Sequence, residues 1–309
     1  MKTFKFVTIF SLICWSILSS AAAFDKKADF DGFVNIGNKE LYVKYQPPQD
    51  NKPTIILLNG LTYSTRQWNA MVFEMSKFGY GILRYDMDGM GNTLLRYGPK
   101  SEPYHYTDQV DDLNALLNKL GLKAPYNFVG LSYGGGIAAG FAFKYPKLVA
   151  KTVLMAPYTQ PLQGQDDWIK QQISLTRVQF PFNPYSDDQL YDYFLRQICF
   201  SSYPIVEPIV LENPYKLEGV FRMTQGIRKF NVVAEVDKFP KNSVYLIIAK
   251  QDQYIPGSVL ENFWDAIPAE SKVEKIYVPW SEHKIPEARP IRATQILNHI
   301  FLNQKLGDD

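Results

Sequence analysis

The sequence predicts an α/β protein: a mostly parallel, eight-stranded sheet with helices on both faces and a helical cap inserted between two strands. Three observations predict it. Apolar runs such as TIILL, KTVLM and VYLIIA lack the alternation of a half-solvated strand, so each reads as a strand covered on both sides, as in a parallel sheet. Amphipathic helical patterns separate many of these runs, which is the mark of strand–helix–strand units. From Pro157 to about residue 235 the strand pattern stops and only helix signals remain.

The chain opens with Lys2 and Lys5 before an apolar run from Phe6 to about Leu18, followed by the small residues Ser19 to Ala23. This is the pattern of a secretory signal peptide over 1–23, with cleavage expected before Phe24 and delivery to the periplasm or the medium. The run is shorter than the ~20 residues of a spanning helix, so no stable membrane anchor is expected after cleavage. Loss of the segment removes two lysines and no acids, which leaves 31 basic and 31 acidic side chains. A balanced charge implies no nucleic-acid partner. Only Cys199 survives in the mature chain, so no internal disulfide is available and packing must hold the core.

Candidate strands follow at 34–36, 41–45, 54–58, 82–85, 127–130, 152–155, 244–249 and 273–278. The first two, separated by Gly37 and Asn38, read as an antiparallel hairpin. Residues 66–78 carry Trp68, Met71, Val72, Met75 and Phe78 at helical spacing, and 107–120 carry Val110, Leu113, Leu116, Leu117 and Leu120; both are expected to cover the sheet. In the cap, Ile169, Ile173, Thr176 and Phe180 share one helical face, and Ser186 with Gln189 forms a capping box ahead of Leu190, Tyr191, Phe194 and Ile198. Prolines 161, 181, 184, 204, 208 and 214 are expected to keep these helices short. The organisation is therefore a signal peptide at 1–23, a core made of 24–157 and 236–309, and a helical cap at 158–235.

The sharpest local signal is Gly130-Leu131-Ser132-Tyr133-Gly134, which joins an apolar strand to the small-residue helix that begins near Ile137. Such a turn lifts a serine hydroxyl above the sheet, and the glycines let strand and helix approach each other. A serine needs a base to take its proton. Of three histidines, His299 shares a face with Arg292 and Gln295 and reads as solvent-facing, and His105 precedes the serine motif in the entry to a helix. His283 follows the last strand, at the edge where a parallel sheet carries its functional loops. The base needs a carboxylate to fix its tautomer, and Asp252 directly follows the strand at 244–249. Asp166 and Asp167, beyond the strand at 152–155, are the rival acids. The order Ser, Asp, His is that of serine hydrolases with a strand–turn–helix nucleophile.

With these residues in hand, the chain resembles the α/β-hydrolase superfamily over about residues 31–303, in particular its cap-bearing group of carboxylesterases, monoacylglycerol-type lipases and proline iminopeptidases. Leu57-Leu58-Asn59-Gly60-Leu61 looks like the segment the family usually writes with His-Gly, with Asn59 in place of the histidine. Asp86-Met87-Asp88-Gly89-Met90-Gly91-Asn92-Thr93 looks like its D-x-x-G-x-G-x-S segment. The resemblance implies Leu61 and Tyr133 as backbone donors to an oxyanion, each worth about 3 kcal/mol to the transition state.

The expected chemistry is hydrolysis of a small-molecule or lipid-like carboxylic ester through an acyl-enzyme on Ser132. Two alternatives stand beside it. One is an aminopeptidase of the proline iminopeptidase type, which needs cap acids such as Asp187, Asp188, Glu207 or Glu212 to hold an ammonium group. The other is a non-catalytic binding protein on the same fold. No cofactor or metal is expected: there is no G-x-G-x-x-G or P-loop spacing, and three scattered histidines with one mature cysteine form no ligand set.

Overall fold

The computed structural model describes residues 24–61, 63–161, 163–206 and 213–307, with side chains omitted from 200–206. The expected signal peptide, together with Glu207 and Glu212, lies outside the described residues. All eight expected strands form: β1 (Phe30–Asn35), β2 (Glu40–Gln46), β3 (Thr54–Leu58), β4 (Gly81–Asp86), β5 (Tyr126–Leu131), β6 (Val149–Met155), β7 (Val244–Ala249) and β8 (Lys272–Val278). They make one sheet in the order β1-β2-β4-β3-β5-β6-β7-β8. Only β2 runs against the rest, pairing antiparallel with β1 and β4, while every other pairing is parallel.

The parallel strands are buried on both faces, as their unbroken apolar runs require. In β3, Ile56 and Leu58 face one core cluster while Ile55 and Leu57 face the other. The first cluster takes the helices α3 (Tyr106–Leu120), α4 (Tyr133–Lys144) and α8 (Gly257–Ala266) through Leu113, Phe141 and Phe263. The second takes α1 (Asn69–Ser76) and α10 (Pro290–Leu302) through Met71, Met75, Ile296 and Ile300. A short helix α2 (Gly91–Tyr97) follows β4, and α9 (Ile285–Ala288) follows the loop after β8. Among the described residues, no helix is long and apolar enough to cross a membrane.

Between β6 and β7 the described residues form three α-helices, α5 (Gln163–Gln179), α6 (Asp187–Val206) and α7 (Lys216–Ile227). The capping box forms as expected: Ser186 N–H donates to Gln189 Oε1 at 2.8 Å and Gln189 N–H donates to Ser186 Oγ at 3.2 Å. The helices are not short, since α5 has 17 residues and α6 has 20. Pro204 falls in the last turn of α6, where it removes one rung of the ladder near an end that frays in any case. Phe180 lies beyond α5 and is exposed, so only Ile169 and Ile173 of the expected face are buried.

These helices have an apolar cluster of their own, built from Ile169, Ile173, Leu190, Tyr191, Leu195, Cys199, Val220 and Phe221. Helix α7 straddles two cores. Its Val220 and Phe221 belong to the cap cluster, while Met223 and Ile227 belong to the main one. Two glycines allow its close approach: a Cβ at Gly226 would sit 1.9 Å from the Tyr104 carbonyl oxygen, and one at Gly219 2.5 Å from Leu94.

Candidate active site

Ser132 sits between β5 and α4 with φ +51° and ψ −117°, a conformation that costs an L-residue about 1–3 kcal/mol and persists only when its surroundings enforce it. Those surroundings are visible. Ser132 N–H donates to the Met155 carbonyl at 2.9 Å, and its own carbonyl accepts from Tyr158 N–H at 2.8 Å and Gly136 N–H at 3.2 Å. The flanking glycines are steric necessities: a Cβ at Gly130 would lie 2.3 Å from the Gly134 carbonyl oxygen, and one at Gly134 2.1 Å from that of Leu58. Backbone meets backbone there, so an alanine could be accommodated only by moving β3 or α4.

Asp252 and His283 meet because the loops after β7 and β8 are zipped together. Lys250 N–H donates to the Val278 carbonyl at 3.1 Å, and Gln251 N–H to the Ser281 carbonyl at 2.9 Å. One carboxylate oxygen of Asp252 then stands 2.7 Å from His283 Nδ1. The other accepts Tyr254 N–H at 2.8 Å and Ile255 N–H at 2.9 Å. The pair is nearly dry, with side chains 2% and 9% exposed respectively. An ionised carboxylate only accepts, so Nδ1 donates to it and Nε2 is left as the ring's acceptor.

The rival residues lie elsewhere. Asp166 is paired with Lys170 on α5, and Asp167 accepts from Gln163 Nε2 at 2.6 Å. His105 is exposed at the start of α3. His299 keeps a partly exposed ring, and its nitrogens reach Glu274 and the Gln304 carbonyl, both at 2.9 Å. Those contacts, the Gln304 carbonyl first, hold its pKa above the ordinary histidine value despite partial burial. Of the residues expected on its face, Arg292 is instead buried.

Asn59 also finds its place. Its Nδ2 donates to the Tyr85 carbonyl at 2.9 Å and its Oδ1 accepts Trp68 Nε1–H at 2.8 Å. One residue on, Gly60 N–H donates to Gln67 Oε1 at 2.9 Å, and Gln67 Nε2 donates to Glu287 of α9 at 3.2 Å. The loop after β3 is thus tied to the helix after His283. Asp86, from the glycine-rich segment, braces the same loop: it accepts Thr65 N–H at 2.6 Å and Asn92 N–H at 2.7 Å. Burial pushes its carboxyl up to about 6.

Ser132, His283, Leu61 and Tyr133 all line one cavity of about 400 Å³, together with Tyr254 and, from the cap, Ile198, Cys199, Thr224 and Ile227. Tyr133 is the first residue of α4, so its N–H has no partner within the helix. Sequence reasoning missed Gln67, Tyr254, Thr224 and Cys199. Only Cys199 carried a signal, since it continues the helical face of Tyr191 and Leu195; the others depend on contacts distant in the chain. Among the described residues, no group of His, Cys, Asp and Glu could hold a metal ion.

Comparison with known proteins agrees with this architecture. The chain is 33% identical over 133 residues to a 2-hydroxy-6-oxononadienedioate/2-hydroxy-6-oxononatrienedioate hydrolase of Paraburkholderia phymatum, covering 40% of this chain and 43% of that protein. It is 26% identical over 129 residues to monoacylglycerol lipase abhd6-B of Xenopus laevis, covering 40% and 36%. The chain therefore spans less than half the length of these curated relatives. Among solved structures, an α/β hydrolase enzyme from a Medee basin deep-sea metagenome library superposes with a TM-score of 0.67 at 23% identity, covering 90% of this chain and 99% of that one. The family model described as alpha/beta hydrolase fold matches residues 53–283 of the 309, and the chain belongs to that family.

Proposed function

We propose that this hydrolase cleaves carboxylic esters through an acyl-enzyme on Ser132. The observation that carries the reading is the joint position of the strained Ser132 and the Asp252–His283 pair, with serine and imidazole facing one cavity. In this reading His283 Nε2 takes the hydroxyl proton as Ser132 Oγ attacks the ester carbonyl. The oxyanion is held by Leu61 and Tyr133 N–H. His283 then gives its proton to the departing alcohol, and water repeats the sequence on the acyl-enzyme to release the acid. Asp252 stays ionised and holds the ring. The similarity to a lipase agrees with an ester substrate.

The iminopeptidase reading needs an acidic group for a substrate ammonium, and the described residues that line the cavity include none. Asp187 is paired with Arg177, and Asp188 is almost fully exposed in the first turn of α6. Hydrolysis of p-nitrophenyl butyrate should therefore exceed that of proline p-nitroanilide by at least about 100-fold in kcat/KM, roughly the effect of one displaced charge. The opposite preference would overturn the ester assignment, and an intact fold inert to both would favour a binding protein.

Export is the second part of the proposal. Phe24, the first residue after the expected cleavage point, already packs on the sheet edge, with ring centroids 5.6 Å from Phe30 and 5.2 Å from Tyr45. Intact-mass measurement of the exported protein should show a chain beginning at Phe24; a species retaining 1–23 would sink this part.

A further inference from the structure

The loop that leaves β3 runs into one turn of 3-10 helix, Thr65–Trp68. The start of that turn is held twice. Ser64 Oγ accepts Arg66 N–H at 3.3 Å, and Thr65 N–H donates to the buried Asp86 at 2.6 Å. From this fixed turn two neighbouring side chains reach back to two consecutive residues of the loop: Trp68 Nε1–H holds the Asn59 side chain at 2.8 Å, and Gln67 Oε1 accepts Gly60 N–H at 2.9 Å.

The two contacts govern different things. Trp68 meets a side chain and pins the place where the loop leaves the strand. Gln67 meets the main chain itself, so it fixes the plane of the Asn59–Gly60 peptide. The next peptide is set by the Gly60 carbonyl, which accepts Tyr63 N–H at 3.2 Å. In a trans peptide the C=O and N–H point in opposite directions, so Leu61 N–H faces away from Tyr63 N–H. Gly60, Leu61 and Gln67 line the same cavity as Ser132 and Tyr133. Gln67 is only 5% exposed and Gly60 is buried. Stripped of this acceptor, Gly60 N–H would have to turn to find another, and the following peptide would turn with it.

The direction of the Gln67 amide is itself imposed. An ionised carboxylate only accepts, so the contact to Glu287 at 3.2 Å requires Nε2 on that side and leaves Oε1 for Gly60. Glu287 belongs to α9, the helix that follows the His283 loop. We infer that Gln67 is a positioning residue: by holding Gly60 N–H it aims Leu61 N–H at the oxyanion, and through Glu287 it keeps that donor in register with the segment that carries the base. The inference rests on the ester-hydrolase reading, in which Leu61 is one of two oxyanion donors. The oxyanion exists only after attack, so loss of Gln67 should lower kcat and leave KM nearly unchanged.

Gln67→Met keeps the length of the side chain and removes the amide. We expect its kcat on p-nitrophenyl butyrate to fall about 100-fold, the scale of a donor displaced by about 1 Å, with KM within about twofold. The inhibition constant of 1-butaneboronic acid, whose adduct on serine carries an oxygen at the oxyanion position, should rise by a similar factor. Fluorophosphonate labelling taken to completion counts the intact sites; a variant that is merely less folded would lose sites while its boronate affinity per site stayed that of the wild type. Glu287→Ala, an exposed substitution, should lower kcat about fivefold, and by less than about twofold where Gln67→Met is already present, because both act through one bridge. If Gln67→Met does not fold, Glu287→Ala carries the test through the same kcat and boronate measurements. A normal kcat in either folded single variant, a rise in KM alone, or a loss of kcat with boronate affinity intact would overturn the inference while the ester-hydrolase reading stands. Wild-type protein inert to p-nitrophenyl butyrate would remove both.

Discussion

Ser132→Ala should lower kcat on p-nitrophenyl butyrate by about a millionfold, the scale seen when the nucleophile of a serine hydrolase is removed. It should also abolish labelling by a fluorophosphonate probe. The fold should survive, because alanine at φ +51° bears the same backbone strain as serine and the enforcing hydrogen bonds to Met155, Tyr158 and Gly136 are all made by the main chain. Circular dichroism separates loss of chemistry from loss of structure. Retained labelling in a folded variant would place the nucleophile elsewhere.

Asp252→Asn should cost about 10⁴-fold in kcat, with KM little changed. The physical reason is a tautomer. Asparagine can keep the contacts to Tyr254 and Ile255 N–H through its oxygen, which turns its NH2 group toward His283 Nδ1. That nitrogen must then accept, so the ring proton moves to Nε2 and the side facing the cavity can no longer take a proton from serine. Substitution of Asp166 or Asp167, both tied up on α5, should leave kcat within about twofold. A large loss at either, or near-normal turnover in Asp252→Asn, would reverse the assignment of the acid.

Much of the sheet was legible because a strand buried on both faces cannot carry polar alternation. The runs at 54–58 and 244–249 match β3 and β7 end to end. The serine turn was legible for a related reason: only glycine fits where a Cβ would meet a carbonyl oxygen at 2.1–2.3 Å. Asp252 and His283 could be inferred from their places after strands, because parallel topology brings strand ends to one edge. The cap was readable only as helix, since periodicity tells which side of a helix is apolar but not which neighbour receives it. That is why the length of α6 and the double allegiance of α7 had to come from the structure. The pinning of Asn59 to Tyr85 and Trp68, and of Gln67 to Gly60 and Glu287, joins segments that no local pattern connects.

The split allegiance of the cap gives the molecule an uneven freedom to diverge. Helices α5 and α6 pack on one another and on one side of α7, so a lineage could trade them as a cassette, renewing the wall at Ile198 and Cys199 while Ser132, Asp252 and His283 stay where the sheet places them. Helix α7 has no such licence. Keyed against Tyr104 and Leu94 by two glycines, it makes Thr224 and Ile227 the fixed half of the wall that these helices give the cavity.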